Sequence, residues 1–241
     1  MDGIDLGQRY RVVGALGAGG MSAVFEVVDR EDGRRYAAKL LHRSHRDDPE
    51  LRARVLREAR LLGEIDHPGV VRLHELLVDP AQGPVLILEL LDGETLATRL
   101  SRGPLSLDQG REVGLALLDA LGAAHAAGVV HRDVKPANVF LERGTSVGLR
   151  LLDLGVAAGL QSELTVTGQF LGTPHFAAPE QLASAAAATP RSDLYSVGAL
   201  LLVAVTGLRV PVGEGLDAGR LAGVLGASGL PQGWRAALQR A

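Results

Sequence analysis

Apolar and polar positions alternate through the opening of the chain in three runs. Residues 9–20 (RYRVVGALGAGG) alternate up to a glycine cluster, and residues 23–30 (AVFEVVDR) and 34–41 (RRYAAKLL) flank a Glu-Asp-Gly turn. Period-two patterning cut by turn residues predicts strands joined as a hairpin meander. Between 49 and 65 the period becomes helical, with Leu51, Val55, Leu62 and Ile65 on one face. His67-Pro68-Gly69 breaks that helix, and residues 70–79 and 84–91 predict two further strands.

After Asp92-Gly93 the pattern turns helical: a short helix over 95–103, a long one over 106–128, then helices over 179–185, 193–206 and from 234 onward. Between them, residues 129–157 predict two short hairpin-like pieces, and residues 158–177 are polar and Thr-rich without period. Residues 207–233 are Gly-rich and weakly patterned. The fold class is therefore α+β: an antiparallel five-stranded sheet with one helix over 1–91, and a mainly helical part over 92–241. The expected hinge is at 89–93, and a cleft between two such parts is the default place for a ligand.

Composition narrows the picture. A chain of 241 residues with 46% apolar and 22% charged residues reads as a soluble globular protein that can bury a real core. With 3% aromatics, Leu, Val and Ala must fill that core. A net charge of -3 argues against a general nucleic-acid binder. The lack of cysteine excludes disulfides and thiolate metal sites and suits a reducing compartment. The opening residues lack the form of a signal peptide, and the longest apolar run, 198–207, is too short for a membrane span. The expected location is cytoplasmic with no membrane contact from this segment; any anchor would lie beyond residue 241.

Several charged and glycine residues sit where a core alone would not put them. Gly17, Gly19 and Gly20 lie in a turn between two strands, where backbone N–H groups can approach phosphates. Taken alone, a Gly-rich hairpin is the commoner meaning; a strand follows the cluster, which excludes the dinucleotide fingerprint, and no Gly-Lys-Ser/Thr forms a Walker loop. Lys39 ends a buried-looking strand, which by itself suits a lysine snorkelling from a strand end. Glu58 falls in the middle of the apolar helical stripe, where a bare carboxylate does not belong. The two are expected to form an ion pair that holds the lysine where an anion needs it, since such a pair is weak evidence for stability. Asp133, Lys135 and Asn138 crowd one turn, and Asp153 follows Leu149, Leu151 and Leu152, which should be buried. A carboxylate and an amide are hard oxygen ligands of the kind Mg²⁺ accepts alongside phosphates, and a second carboxylate can take a proton from a hydroxyl.

In this order the motifs LGAGGMSAV, AAK, HPGVVRL, LELLDG, HRDVKPAN, DLG, GTPHFAAPE and SDLYSVG resemble those of the eukaryotic-type protein kinases, in particular the bacterial Ser/Thr kinases. The resemblance runs from about residue 10 to about residue 207 and implies the bilobal protein-kinase fold, with a C-terminal end that is truncated or reduced. It implies an ATP:protein phosphotransferase acting on Ser/Thr of protein substrates, with ATP and Mg²⁺ as cofactors and Mn²⁺ as a substitute ion. Leu16, Gly17, Ala18, Gly19 and Gly20 match the loop over the phosphates, with Ser22 at the usual third glycine. Val24 and Ala37 would cover adenine from above and Phe140 from beneath. Leu88 would be the gatekeeper, and Glu89 and Leu91 would present backbone groups to the base. Lys39, paired to Glu58, would bind the α- and β-phosphates. Asp133 would be the catalytic base, Lys135 would neutralise the γ-phosphate, and Asn138 and Asp153 would hold the metal. Leu62, Leu73, Leu154, His131 and Asp193 match the stacked spine of the family. Thr165 and Thr167 match autophosphorylation sites whose phosphate would pair with Arg132, and Thr173 matches the threonine that contacts Asp133. Many bacterial relatives pair through their small lobes, so a homodimer of that kind belongs among the expected partners.

Four departures bear on these expectations. DLG stands for DFG, which keeps an apolar contact at Leu154; Ala158 replaces a second basic residue for the loop phosphate; Tyr195 replaces a tryptophan. The late arginine that normally pairs with the residue at Glu180 has no counterpart before Ala241, which predicts an unpaired Glu180. The alternative reading is a catalytically weak or inactive pseudokinase acting as a nucleotide-binding interaction module. The retention of Lys39, Asp133, Asn138 and Asp153 argues for the active enzyme.

Overall fold

The computed structural model describes residues 6–19, 21–144, 148–154, 176–184, 187–208 and 230–238. The chain divides into two units, Met1–Asp66 with Val71–Asp92 and His67–Val70 with Gly93–Ala241.

The first unit is built on five strands: β1 (Tyr10–Ala18), β2 (Ser22–Asp29), β3 (Arg35–Leu41), β4 (Leu73–Asp79) and β5 (Gly83–Glu89). Their order is β1-β2-β3-β5-β4, antiparallel throughout. One face carries a core of Tyr10, Val27, Tyr36, Ala38, Leu40, Val85 and Ile87 with Leu6. Helix α1 (Pro49–Gly63) begins where its sequence says it should: Pro49 is the first helical residue, and the Asp48 carboxylate accepts from the N–H groups of Glu50 and Leu51. It buries Leu51, Glu58, Ala59 and Leu62. Ile65 is buried beyond the helix end rather than within it.

The second unit opens with β6 (Gly93–Thr95), which pairs with β7 (Val139–Glu142), itself paired with β8 (Leu149–Leu151). Sequence patterning shows no strand at 93–95, because three residues are too few to display a period. Helices α2 (Leu96–Leu100), α3 (Leu107–Ala126), α4 (Pro179–Ala183), α5 (Pro190–Thr206) and α6 (Gln232–Leu238) follow in chain order. A reciprocal capping box starts α3, with Ser106 Oγ accepting from Gln109 N–H and Gln109 Oε1 accepting from Ser106 N–H. Helix α5 starts three residues before the expected 193, since Pro190 at its first position is pre-set for helical φ. Helices α3 and α5 touch through glycines: a Cβ on Gly110 would lie 2.3 Å from Val205 Cγ1, and one on Gly114 would lie 2.9 Å from Leu201 Cδ1.

The His67-Pro68-Gly69 turn is fastened to this unit. The Leu151 N–H donates to Gly69 O at 2.7 Å, His67 Nε2 lies 3.2 Å from Asp119 Oδ2, and the Arg150 guanidinium donates to Pro68 O. Among the described residues no helix is long and apolar enough to cross a membrane.

Candidate active site

In the first unit the glycine cluster closes the β1–β2 turn. Strand β1 carries bulges between Val12 and Gly14 and between Ala15 and Gly17, and the Gly19 N–H donates to Ser22 O at 2.8 Å. The turn is also tied to the end of β3, because His42 Nε2 lies 2.7 Å from Gly19 O and the His42 N–H donates to Met21 O. In the sequence His42 shows only as a polar residue after a strand. Leu16 is exposed, Gly17 opposes Val24 across the hairpin, and Gly20 lies outside the described residues.

Register sets the rest of this half. Lys39 on β3 opposes Val24 on one side and Leu86 on the other, two positions along from Ala37. The Lys39 Nζ reaches to 3.7 Å from Glu58 Oε1, with both side chains nearly buried. Leu88, nine-tenths buried, opposes Ala37, and Glu89 follows it. The Glu89 N–H donates to Arg72 O and its carboxylate accepts from Arg72 N–H. Leu91 lies just past the end of β5 and is half-buried.

In the second unit the loop over residues 129–138 gathers its polar groups around His131. This ring is fully buried; its Nδ1 accepts from the Asp133 N–H at 3.2 Å and its Nε2 donates to Leu152 O at 2.9 Å, which sets the tautomer. The loop backbone hangs from Asp193 of α5, also fully buried, whose carboxylate accepts from the N–H groups of His131 and Arg132, both at 2.8 Å, and from His125 Nε2 at 2.7 Å. Three donors make a buried carboxylate tolerable.

Asp133 is half-buried, and two groups converge on its Oδ2: Lys135 Nζ at 2.7 Å and Asn138 Nδ2 at 3.0 Å. Asn138 Nδ2 also donates to Asp133 O at 2.8 Å, so both of its amide hydrogens go to Asp133. The Leu152 N–H donates to Asn138 O, which brings the start of DLG against this loop. Asp153 follows with φ 51°, in the left-handed region. Its neighbour Leu154 is buried, but Asp153 itself is exposed. The strand before it therefore buries Leu149 and Leu151 without burying the carboxylate. Phe140 lies on β7 opposite Thr95 and Arg150, half-buried.

Of the spine residues, Leu62 is buried in the first unit, and His131, Leu154 and Asp193 in the second. Thr165, Thr167, Thr173 and Ala158 lie outside the described residues. Glu180, expected to be unpaired, has a partner: Ser192 Oγ donates to Glu180 Oε1 at 2.6 Å and accepts from the Thr189 N–H. The sequence hides this pairing because a serine at the start of a helix reads as a cap.

Comparison with known proteins places the chain in one family. Residues 10–215 match the family model of the protein kinase domain, and the chain belongs to that family. It is 39% identical over 220 residues to the serine/threonine-protein kinase PknA of Mycobacterium tuberculosis, covering 88% of this chain and 50% of that protein. It resembles the crystal structure of the Mycobacterium tuberculosis PknI kinase domain with a TM-score of 0.66 and 28% identity, over 87% of this chain and 78% of that one. It also resembles the crystal structure of Rad53 in complex with AMP-PNP with a TM-score of 0.74 and 25% identity, over 95% of this chain and 59% of that one. The five-stranded antiparallel sheet with α1 and the mainly helical second unit are thus the two lobes of a protein kinase fold. The chain spans about half the length of PknA.

Proposed function

We propose that this chain is an active protein serine/threonine kinase that moves the γ-phosphate of ATP to Ser and Thr hydroxyls of proteins, its own activation segment among them. The observation that carries the proposal is the Asp133–Lys135–Asn138 cluster, hung from two buried side chains, His131 and Asp193. A fold does not need this cluster: it holds a carboxylate, a cation and an amide in one partly exposed turn. Family membership, the relatives named as Ser/Thr kinases and the likeness to a structure solved with AMP-PNP support the same reading.

In this mechanism the turn after β1 lays backbone N–H groups over the phosphates, and Lys39, braced by Glu58, sits on the α- and β-phosphates. Val24, Ala37 and Phe140 are the apolar surfaces offered to adenine, Leu88 is the gatekeeper, and Glu89 and Leu91 offer the base backbone groups. Because the Glu89 N–H is already donated to Arg72 O, its carbonyl is the group assigned to the base.

Both contacts to Asp133 fall on Oδ2, so Oδ1 is assigned to the substrate hydroxyl. The hydroxyl oxygen attacks the γ-phosphorus, the bond to the β–γ bridging oxygen breaks, ADP leaves with that electron pair, and the hydroxyl proton passes to Asp133. Lys135 offsets the charge gathered on the transferring group. The amide oxygen of Asn138, whose nitrogen is taken by Asp133, and the exposed carboxylate of Asp153 are a hard-oxygen pair of the kind Mg²⁺ takes together with phosphates, and they are the residues that would hold it. Bound there, the ion would neutralise phosphate charge. Phosphate on Thr165 or Thr167 would pair with Arg132 and order the segment.

The deciding experiment is phosphate transfer from labelled ATP with Mg²⁺, wild type beside Asp133→Asn, with and without a generic basic protein. We expect label on the wild-type chain and on the added protein, and at least a hundredfold less with the variant, on the order of a lost general base. Equal labelling of the two proteins, or none on either with ATP still bound, overturns the assignment. Mapping the label tests the threonines: active enzyme without phosphate on Thr165 or Thr167 removes the proposed clamp.

A further inference from the structure

Arg132 and Asp153 are the non-glycine residues with positive φ among the described residues. Arg132 sits at φ 66°, a region that a side-chain-bearing residue enters only when its surroundings force it. The forcing groups are visible. The Arg132 N–H donates to Asp193 Oδ1 of α5, and Arg132 O accepts from Gln181 Nε2 of α4 at 3.0 Å. Side chains from two helices therefore hold both backbone polar groups of this one residue. Gln181 is itself pinned at its other end, where Oε1 accepts from the Ala178 N–H at 3.0 Å. Its neighbour Glu180 is bonded to Ser192, next to Asp193 in sequence, so α4 is fastened to the start of α5.

We propose that Gln181 is a positioning residue for the catalytic loop: its amide holds Arg132 in the left-handed backbone conformation that aims the next residue, Asp133. This rests on the kinase reading for its effect on transfer, but not for the effect on the loop itself. The two roles need an acceptor and a donor on one side chain. A glutamate keeps the acceptor for Ala178 and lacks the N–H for Arg132 O, and serine or asparagine is too short to span both. Arg132 relaxing out of its conformation moves the Asp133 carboxylate, and a displacement of about 1 Å at a reacting group is enough to cost about a hundredfold in rate. ATP contacts do not pass through Gln181, so the loss belongs in kcat.

The test uses Gln181→Met and Gln181→Glu in the full chain, with transfer to a generic basic protein and amide hydrogen exchange as separate readouts. Both variants should lower kcat by about ten- to a hundredfold with KM for ATP within about twofold, and the amides of residues 131–133 should exchange about tenfold faster. In an Arg132→Gly background, where glycine takes positive φ without strain, Gln181→Met should change that exchange by less than about twofold. Wild-type kcat in Gln181→Glu would mean that only the bond to Ala178 matters and would overturn the proposal, as would unchanged exchange in Gln181→Met. Should Gln181→Met fail to fold, Gln181→Glu retains the helix-start bond and carries the test. If the wild type transfers no phosphate, the kinase reading falls while the exchange data still decide the role of Gln181.

Discussion

Charge placement at single residues explains most of what looks anomalous in this chain. Glu58 lies in an apolar helical stripe because Lys39 comes to meet it from a strand. Asp193 is buried because three N–H groups point at it. At the edge of the first unit, Asp29 is held by Arg9, whose guanidinium donates to Oδ2, and by the Glu31 N–H. The Arg9 hydrogen bond holds the Asp29 carboxyl below its ordinary value of 3.8. A depressed carboxyl adds stability that is present above 3.8 and is lost as pH falls through the folded value. Arg9→Gln should therefore destabilise the protein at about pH 7, and the gap to wild type should close as pH falls below about 3.8. Urea unfolding at both pH values checks this, and an equal loss at the two would remove Arg9–Asp29 as the cause. Tyr10 nearby is pushed above the ordinary phenol value by burial and by its bond to Glu75, so it stays neutral throughout that range.

At the scale of elements, strand period and turn chemistry account for the five strands of the first unit and helical period for α1, α3 and α5. What they miss is short or set by contact. β6 exists because β7 is beside it, and Gly93 at its start is required by that closeness: a Cβ there would lie 2.0 Å from Leu141 O and 2.9 Å from Phe140 Cε1. The neighbour is backbone and cannot swing away. Gly93→Ala should cost about 3 kcal/mol, an overpacking loss. Ser106→Ala, which removes one half of the capping box of α3, should cost about 1 kcal/mol. Denaturant midpoints rank the two; a Gly93→Ala protein as stable as wild type would show that β6 and β7 can separate.

For the whole molecule, the prediction concerns linkage. A ligand that binds only the folded state adds about 2.7 kcal/mol at about a hundredfold excess over its Kd. MgATP should raise the melting temperature of the wild type and of Asp133→Asn alike, since Asp133 is assigned to the hydroxyl rather than to nucleotide affinity. Lys39→Ala should lose most of the shift, and a full shift in that variant would remove Lys39 from the phosphates.

The sequence alone settles the longer elements and the chemistry-bearing motifs. Both are local: a period, a cap, a turn residue or a short motif is complete within a few positions, and the order of the motifs marks the family before any contact is known. Only the tertiary structure decides who pairs with whom. Asp193 holds Arg132 across 61 positions and Gln181 reaches it across 49, separations over which no spacing rule operates. Ser192 gives Glu180 a partner, and Asp153 is exposed just past a strand whose leucines are buried. Such outcomes depend on which donors and acceptors packing brings within hydrogen-bond distance, and a burial cost can be met by any group that reaches.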